Sequence, residues 1–250
     1  MNPIQNKHLN KIAREWDDIA ALRIRQIQDD IDISFIHVLC PCIINLAEYC
    51  DFSSVIDVGC GCGFISEYIS RISSKVVGVD ISGESIRLAR ERLTKKDNVT
   101  FIHSSIEDFA DSMQLGSFTL AIANMTLMTV PSLETTVKAI WSMLISGGHF
   151  VFTITHPCFW PLYWGYSEAS WFEYSREIAI QAPFRISKTE ERGPNTTHFH
   201  RPLETYLNML RTTGFEIDRI VEPFPSPAIE QLYPERWKYP RFVAIRCIRK

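Results

Sequence analysis

An apolar run that ends in closely spaced glycines restricts this chain more than any other stretch. Val55 to Val58 is followed by Gly59, Gly61 and Gly63, and then by a helix-like segment at 64–73. Glycine lets the backbone take positive φ angles and lets a ligand approach without meeting a Cβ atom. The free N–H groups at a helix start favour a negative group nearby. The stretch therefore predicts a strand, a tight turn and a helix N-terminus that together bind a ligand.

The spacing of these glycines separates two ligand classes. In a dinucleotide-binding fingerprint the third glycine would fall at Phe64. The chain instead has the pattern G-x-G-x-G preceded by Asp57, which resembles the first motif of class I S-adenosylmethionine (SAM)-dependent methyltransferases. This resemblance implies that SAM is the cofactor and that Asp57, Gly59, Gly61 and Gly63 hold its methionine part. The alternative is that the glycines serve only as a turn.

A second acidic residue follows the next apolar run. Asp80 ends the run at 75–79, about 20 residues after the first glycine, where an acid can accept hydrogen bonds from a ribose diol. The resemblance implies ribose binding by Asp80, with Ile81 beside it in the cofactor site. The alternative is that Asp80 is only the N-cap of a helix at 84–93.

Strand and helix patterns alternate from Val55 onward, which predicts a parallel sheet with helices on both faces. The predicted strands are 55–58, 76–79, 99–103, 118–124, 150–155, 215–221 and 241–248, and the predicted helices are 64–73, 84–93, 133–144 and 203–213. The resemblance is strong over 53–155 and covers the remainder in outline. It implies an α/β, Rossmann-like three-layer sandwich with a seven-stranded, mostly parallel sheet whose antiparallel last strand lies beside the fifth.

At 250 residues the chain is long enough for one α/β domain with insertions and too short for two. We therefore expect a single methyltransferase domain over 1–250. Its expected parts are an N-terminal helical cap (1–50), a SAM-binding core (53–155), a substrate lid insertion after strand five (156–200), and a C-terminal helix with the last two strands (201–250). The cap is predicted to hold helices at 12–33 and 34–49, with Pro41 bending the second.

The net charge of −3 disfavours nucleic acid and anionic membranes as partners. The polar N-terminus lacks the apolar core of a signal peptide, and the longest apolar run, 33–47, is too short to span a bilayer. Seven cysteines without a paired framework favour free thiols in a reducing compartment. We expect a soluble, cytoplasmic protein, with a homodimer left open.

Two further strand ends complete the expected cofactor site. By the resemblance, Ser105 and Ile106 bracket the adenine, although Ser105 stands where many relatives carry aspartate; the alternative is that Ser105 and Glu107 form a helix-capping pair. Asn124 and Met125 follow the fourth strand, without the prolines and aromatic residue of DNA and protein amino methyltransferases. This turn looks like that of the small-molecule branch, in which it lines the methyl side of the cofactor.

Methyl transfer depends chiefly on placing the acceptor in line with sulfur and methyl and on excluding water. An oxygen or nitrogen acceptor can also require a base, and histidine suits that role. His156, His198 and His200 compete for it, and the catalytic candidates are His156 first and then His200. His156 follows strand five, which in the family lies beside the methyl group; alternatively it orders the adjacent loop. His200 could instead bind substrate or cap the final helix.

The aromatic insertion is the expected substrate cover, because long irregular connections often form lids. The expected substrate residues are Trp16, Trp160, Tyr163 and His198. Trp16 has a core alternative. Three arginines, Arg185, Arg192 and Arg201, could pair with a substrate anion, although solvated surface charges are the preferred interpretation.

No metal site is predicted, because the C-x-C pairs at Cys40 and Cys60 have no accompanying ligand motif. The sequence thus predicts a SAM-dependent methyltransferase (EC 2.1.1) acting on an oxygen or nitrogen of a small molecule, in specialised metabolite biosynthesis. The alternatives are an RNA or protein methyltransferase and a SAM-binding regulatory protein without catalysis.

Overall fold

The computed structural model describes residues 1–5, 7–186 and 193–250. The strands are β1 (Asn2–Pro3), β2 (Val55–Val58), β3 (Val76–Asp80), β4 (Val99–His103), β5 (Phe118–Asn124), β6 (Leu144–Thr155), β7 (Ile178–Pro183), β8 (Asn195–His200), β9 (Phe215–Val221) and β10 (Phe242–Arg249). The helices are α1 (Leu9–Gln28), α2 (Cys40–Ala47), α3 (Phe64–Ile69), α4 (Gly83–Arg92), α5 (Ile106–Asp111), α6 (Leu133–Met143), α7 (Trp160–Trp164), α8 (Leu203–Thr213) and α9 (Pro227–Glu230), with a π-helical stretch at Phe35–Leu39.

Within these residues, seven strands form the larger sheet in the order β4-β3-β2-β5-β6-β10-β9. Strands β2 to β6 run parallel to one another where they are paired. Strand β10 runs antiparallel to both β6 and β9, and it pairs Phe242 with Thr155 at the start of its ladder. These pairings confirm the predicted mostly parallel sheet. Its antiparallel last strand, β10, lies beside β6, which contains the fifth predicted strand (150–155).

The sheet is buried on both faces, which explains why its central strand β2 is a continuous apolar run interrupted only by Asp57. On one face, side chains of the sheet pack with Phe109 of α5, Ile140 of α6 and Leu210 of α8. On the other face, α2 and α3 supply Leu46 and Ile69. The three-layer α/β sandwich is therefore also confirmed.

The insertion after β6 contains a second, smaller sheet that the sequence did not predict. Strands β7 and β8 form an antiparallel hairpin, and β1 pairs with β7 through Asn2 and Gln181. Helix α1 is joined to the hairpin by Glu15, whose carboxylate accepts hydrogen bonds from Thr197 N (2.9 Å) and Gln181 Nε2 (2.9 Å). The N-terminal segment and the insertion thus form one continuous structure.

Several elements differ from their predicted bounds for local reasons. Helix α1 ends at Gln28, and Asp30 beyond it has a positive φ of 56°. The predicted second helix runs without a break from the π-helical stretch into α2, because Leu39 and Cys40 have helical backbone angles, and Pro41 lies two residues after that stretch. Strand β6 begins at Leu144, because a register shift opposite 118–120 accommodates the glycine pair within the strand. In the described ranges, we find no helix long and apolar enough to cross a membrane.

Candidate active site

The turn after β2 has the backbone conformation that its glycines predict. Gly59, Gly61 and Gly63 have φ angles of 67°, 53° and 79°. A Cβ atom at Gly63 would lie 2.7 Å from the Phe101 ring, so packing excludes a side chain there. A Cβ atom at Gly61 would meet no described atom within 4 Å, because it would project into open space. The middle glycine therefore provides a free backbone surface against which a ligand can lie.

Two carboxylates flank this turn. Asp80 at the end of β3 accepts hydrogen bonds from Gly61 N (2.8 Å) and Ser82 N (2.8 Å), and burial raises its pKa. A carboxylate accepts about four hydrogen bonds, so the Asp80 carboxylate can accept further hydrogen bonds from a ligand diol. The N-cap of α4 is Ser82, not Asp80. Asp57 accepts a hydrogen bond from Ser66 Oγ (2.6 Å), and burial raises its pKa to about 7.

The ends of β4 and β5 supply the next wall. Ser105 is the N-cap of α5, since its hydroxyl accepts from Asp108 N (3.0 Å). Asn124 Oδ1 accepts from Thr153 Oγ1 (2.7 Å). Met125 has a φ of 56°, a strained value for a residue with a side chain. Such strain is typical of functional sites.

These strand ends open into one cavity of about 1240 Å³, larger than the ~300–1,000 Å³ of most small-ligand sites. The glycine turn lines one end, the insertion and the segment before β10 line the other, and α1 contributes Trp16, Ala20 and Arg23 to the lining. The predicted residues that line it are Asp57, Gly59, Gly61, Asp80, Ile81, Ser105, Ile106, Asn124, Met125, Trp16, Trp160, Tyr163 and His198. The volume and the two ends suit two ligands side by side.

The family model described as a methyltransferase domain matches residues 56–152. A ubiquinone biosynthesis O-methyltransferase of Xanthomonas campestris is 31% identical over 59% of this chain and 64% of that protein. Residues 56–152 are a methyltransferase domain, of the class I SAM-dependent kind. The chain thus spans less than two thirds of the length of that relative.

Solved structures agree with this methyltransferase fold. A SAM-dependent methyltransferase of Mesorhizobium loti has a TM-score of 0.62 at 22% identity, covering 84% of this chain and 96% of that one. The N-methyltransferase NodS of Bradyrhizobium japonicum, in complex with S-adenosylhomocysteine, has a TM-score of 0.56 at 15% identity, covering 84% and 85%. The cofactor of this methyltransferase is SAM, and the open surface at Gly61 and the spare acceptor capacity of Asp80 fit it.

The two preferred base candidates do not line the methyltransferase cavity. His156 accepts a hydrogen bond at Nδ1 from Cys158 N (3.2 Å), and its Nε2 lies 2.7 Å from a carboxylate oxygen of Glu222. His200 Nε2 lies 3.0 Å from the Tyr174 carbonyl. The loop-ordering alternative for His156 fits its contact with Cys158.

His198 differs from both. Its side chain lines the cavity, is only 8% exposed, and neither ring nitrogen has a hydrogen-bond partner among the described residues. The Trp164 ring meets the imidazole edge-on at 4.5 Å between centroids. Burial, with a smaller effect from His200, lowers the pKa of His198 to about 3. The imidazole is therefore neutral at physiological pH.

The arginines have roles that the sequence did not predict. Arg201 is fully buried: it pairs with Glu177 (2.9 Å) and donates to the Leu127 carbonyl (3.1 Å). Arg185 lines the cavity beside Trp164. Arg192 lies outside the described residues.

Arg241 is one of the cavity residues that the sequence did not indicate. Arg241, at the start of the last strand, lines the acceptor end with its guanidinium 4.4 Å from the Tyr163 ring and 4.6 Å from the Trp237 ring. No pattern in the sequence indicates this position, because both rings reach it from other elements.

Proposed function

We propose that this methyltransferase transfers a methyl group to an oxygen or nitrogen of a small-molecule acceptor in specialised metabolite biosynthesis. The observation that carries the proposal is the two-ended cavity, with a glycine turn at one end and an aromatic chamber at the other. SAM supplies an activated methyl group on a good leaving group. The chain's own task is to align the acceptor with that methyl group and to keep water away.

The donor end has a chemical match for each part of SAM. Asp80 offers a carboxylate to a ribose diol, and Ile106 offers a buried apolar surface to adenine. We assign Asp57, Gly59, Gly61 and Gly63 to the methionine part, Asp80 and Ile81 to the ribose, Ser105 and Ile106 to the adenine, and Asn124 and Met125 to the methyl side. Gly63 acts indirectly in this assignment, because it packs against Phe101 and sets the start of α3.

The acceptor end favours a small molecule over a polymer. Trp16 of α1 and Phe184 after β7 meet edge to face with centroids 6.3 Å apart. Trp160 and Trp164 of α7 form a second ring pair at 5.4 Å. Rings from the cap and the insertion thus surround a chamber that a planar compound can enter. Substrate pockets for small ligands are typically apolar and aromatic with few polar groups.

Charge around the chamber supports the same conclusion. Arg23 lies beside Asp32, with their side chains paired at 2.8 Å, and both line the cavity. Arg185 and Glu235 line it as well. A groove for RNA would present basic side chains without such acidic neighbours, because phosphate contacts dominate nucleic-acid affinity.

Two experiments test the proposal in sequence. Calorimetric titration with SAM, S-adenosylhomocysteine and NAD should show binding of the first two only, and NAD binding would contradict the cofactor assignment. The protein is then incubated with methyl-labelled SAM and, separately, a low-molecular-mass metabolite extract, total RNA and a protein extract. Label in the metabolite fraction alone is expected. Label in RNA or protein would identify a macromolecular methyltransferase, and SAM binding without transfer in any fraction would identify a regulatory protein.

A further inference from the structure

We propose that Asn124 binds the reacting atom of the acceptor, and that its side-chain amide selects an oxygen over a nitrogen. The inference rests on the proposed function and deepens it, because that function leaves the acceptor atom open. Its basis is the direction of one amide group in the wall of the cavity. The protein holds the oxygen of this amide, and the nitrogen is left to a ligand.

The Asn124 side chain is oriented by its neighbour across the sheet. Asn124 of β5 pairs with Thr153 of β6. The Thr153 hydroxyl accepts a hydrogen bond from Met125 N (3.1 Å) and donates one to Asn124 Oδ1 (2.7 Å). Thr153 is fully buried, and buried hydroxyl groups are nearly always hydrogen-bonded. Turning the amide over would leave the Thr153 proton without an acceptor among the described residues, so Oδ1 stays on Thr153.

The amide nitrogen of Asn124 points the other way. In the part of the chain that the structure describes, no atom accepts a hydrogen bond from Nδ2, yet Nδ2 is not one of the buried side-chain atoms that lack a partner. It therefore keeps accessible surface. Asn124 is half-buried and lines the cavity, so its two N–H groups are offered to a ligand there. The ring nitrogens of His198 differ, because both are completely enclosed.

In the proposed function, Asn124 lies on the methyl side of SAM. Strand β5 lies beside β2, which leads into the glycine turn. Thr126, two residues after Asn124, donates a hydrogen bond to the Val58 carbonyl (3.0 Å) at that turn. The methyl carbon has no lone pair that an N–H group could use. The atom that can accept a hydrogen bond from Nδ2 is therefore the one that attacks the methyl group.

Hydrogen-bond polarity then separates oxygen from nitrogen. A neutral amine has one lone pair, which must attack the methyl carbon, so its own N–H groups would meet those of Asn124 donor to donor. A hydroxyl or carboxylate oxygen has at least two lone pairs, and one attacks while another accepts from Nδ2. As the carbon–oxygen bond forms, the carbon–sulfur bond breaks and sulfur keeps the electron pair; a hydroxyl releases its proton to water, and a carboxylate has none to lose. One hydrogen bond thus aligns an oxygen acceptor and disfavours an amine.

The test reverses the polarity of this one group. Asn124→Asp keeps the size of the side chain and an oxygen for Thr153, so folding should be preserved, but it replaces the N–H donors with a second acceptor. Asn208→Asp is the matched control, because it makes the same change at an exposed position of α8. Each full-length protein is assayed for S-adenosylhomocysteine binding, for thermal unfolding, and for label transfer from methyl-labelled SAM into the metabolite extract. Tandem mass spectrometry of the labelled wild-type product identifies the methylated atom.

We expect wild type to form an O-methyl product. Asn124→Asp should bind S-adenosylhomocysteine as wild type does, unfold at the same temperature, and transfer label at least about tenfold more slowly, because the hydrogen bond to the acceptor is lost. Asn208→Asp should equal wild type in all three assays.

The contrary outcomes separate this inference from the proposed function. Full transfer by Asn124→Asp, or a loss of S-adenosylhomocysteine affinity as large as the loss of transfer, would overturn the role of Asn124 alone. An N-methyl product from wild type would also overturn it, and would direct the search for the selecting group to Asp32 and Glu235, two acids that line the cavity. A wild type that labels no small molecule would overturn the proposed function itself.

Discussion

Thr126 closes against Gly59: a Cβ atom at Gly59 would lie 2.4 Å from the Thr126 hydroxyl oxygen. The same hydroxyl donates a hydrogen bond to the Val58 carbonyl (3.0 Å). The glycine turn after β2 and the turn after β5 therefore pack directly on one another. Both residues line the cavity, so the two turns meet in its wall.

The first glycine and the middle glycine should respond differently to a methyl group. Gly59→Ala adds a clash with Thr126 to a strained φ, so we expect a loss of about 2–5 kcal/mol in the free energy of unfolding. Gly61→Ala adds only backbone strain, about 1–2 kcal/mol, but its methyl group enters the ligand space. SAM affinity in Gly61→Ala should fall at least about tenfold, equivalent to 1.4 kcal/mol. Chemical denaturation and calorimetry measure the two effects; equal destabilisation in both variants would contradict this account.

Asp17 of α1 should hold the N-terminal helical cap (1–50) over the SAM-binding end of the cavity. Its Oδ1 accepts hydrogen bonds from Ser82 Oγ (2.7 Å) and Glu84 N (3.0 Å), at the start of α4. Asp17→Ala should lower stability by about 1 kcal/mol, the usual cost of losing a helix cap, and weaken SAM binding because α1 is less well anchored. Asp18→Ala, at the exposed neighbouring position, is the control. An unchanged SAM dissociation constant in Asp17→Ala would show that the cap is held by other contacts.

Arg201 should be essential for stability rather than for substrate binding. Its guanidinium pairs with Glu177 and donates to the carbonyls of Leu127 and Val130. Arg201→Met leaves these acceptors unpaired and should cost about 3–5 kcal/mol. Arg211→Met, on the exposed side of α8, should change stability little. Normal thermal stability of Arg201→Met, measured by calorimetric scanning, would be evidence against this structural role.

His198 should also make stability depend on pH. Its pKa is about 3 in the folded protein against an ordinary 6.5, so between these values the unfolded chain binds the extra proton. Stability contributed by neutral His198 is therefore present above pH 6.5 and is lost as the pH falls. At pH 5 the loss is about 2 kcal/mol relative to pH 8, at 1.36 kcal/mol per pKa unit.

The comparison of wild type with His198→Phe isolates this effect. The titratable and charged groups around His198 are the same in both proteins. They are His200 on the same strand and Tyr166, Arg201 and Tyr206 on the neighbouring elements. The difference in unfolding free energy between pH 8 and pH 5 should shrink by about 2 kcal/mol in the variant. Parallel pH profiles for the two proteins would mean that His198 does not titrate as described.

Methyl transfer should be unaffected by chelators. Across the described ranges, no group of three or more histidine, cysteine or acidic side chains could hold a metal ion. Label transfer measured before and after treatment with EDTA should therefore be equal. A loss of activity that zinc or magnesium restores would require a metal site.

The sequence predicts best what depends on neighbouring residues. Strands β4, β5 and β9 and helix α8 have the predicted bounds, because periodicity and turn residues determine them locally. The glycine turn and Asp80 were predicted for the same reason. The smaller sheet was not, because one of its three strands, β1, is two residues long and lies at the other end of the chain.

The histidines show more clearly what cannot be predicted from local sequence patterns. His156 lies directly after β6, as predicted, yet its partner Glu222 is 66 residues away. His198 and His200 point to different neighbours although they share a strand. Which imidazole lines the cavity depends on long-range packing, and no local pattern contains that information.

The shared structure of hairpin and N-terminal segment has a consequence for protein engineering. The hairpin of β7 and β8 looks like a cassette that could be exchanged to change the range of acceptors. It is nevertheless paired with Asn2 and joined to Glu15, so a transplanted hairpin would lose its edge partner and its anchor. A successful chimera must exchange the N-terminal segment through α1 together with the insertion, while the donor half of the molecule is left unchanged.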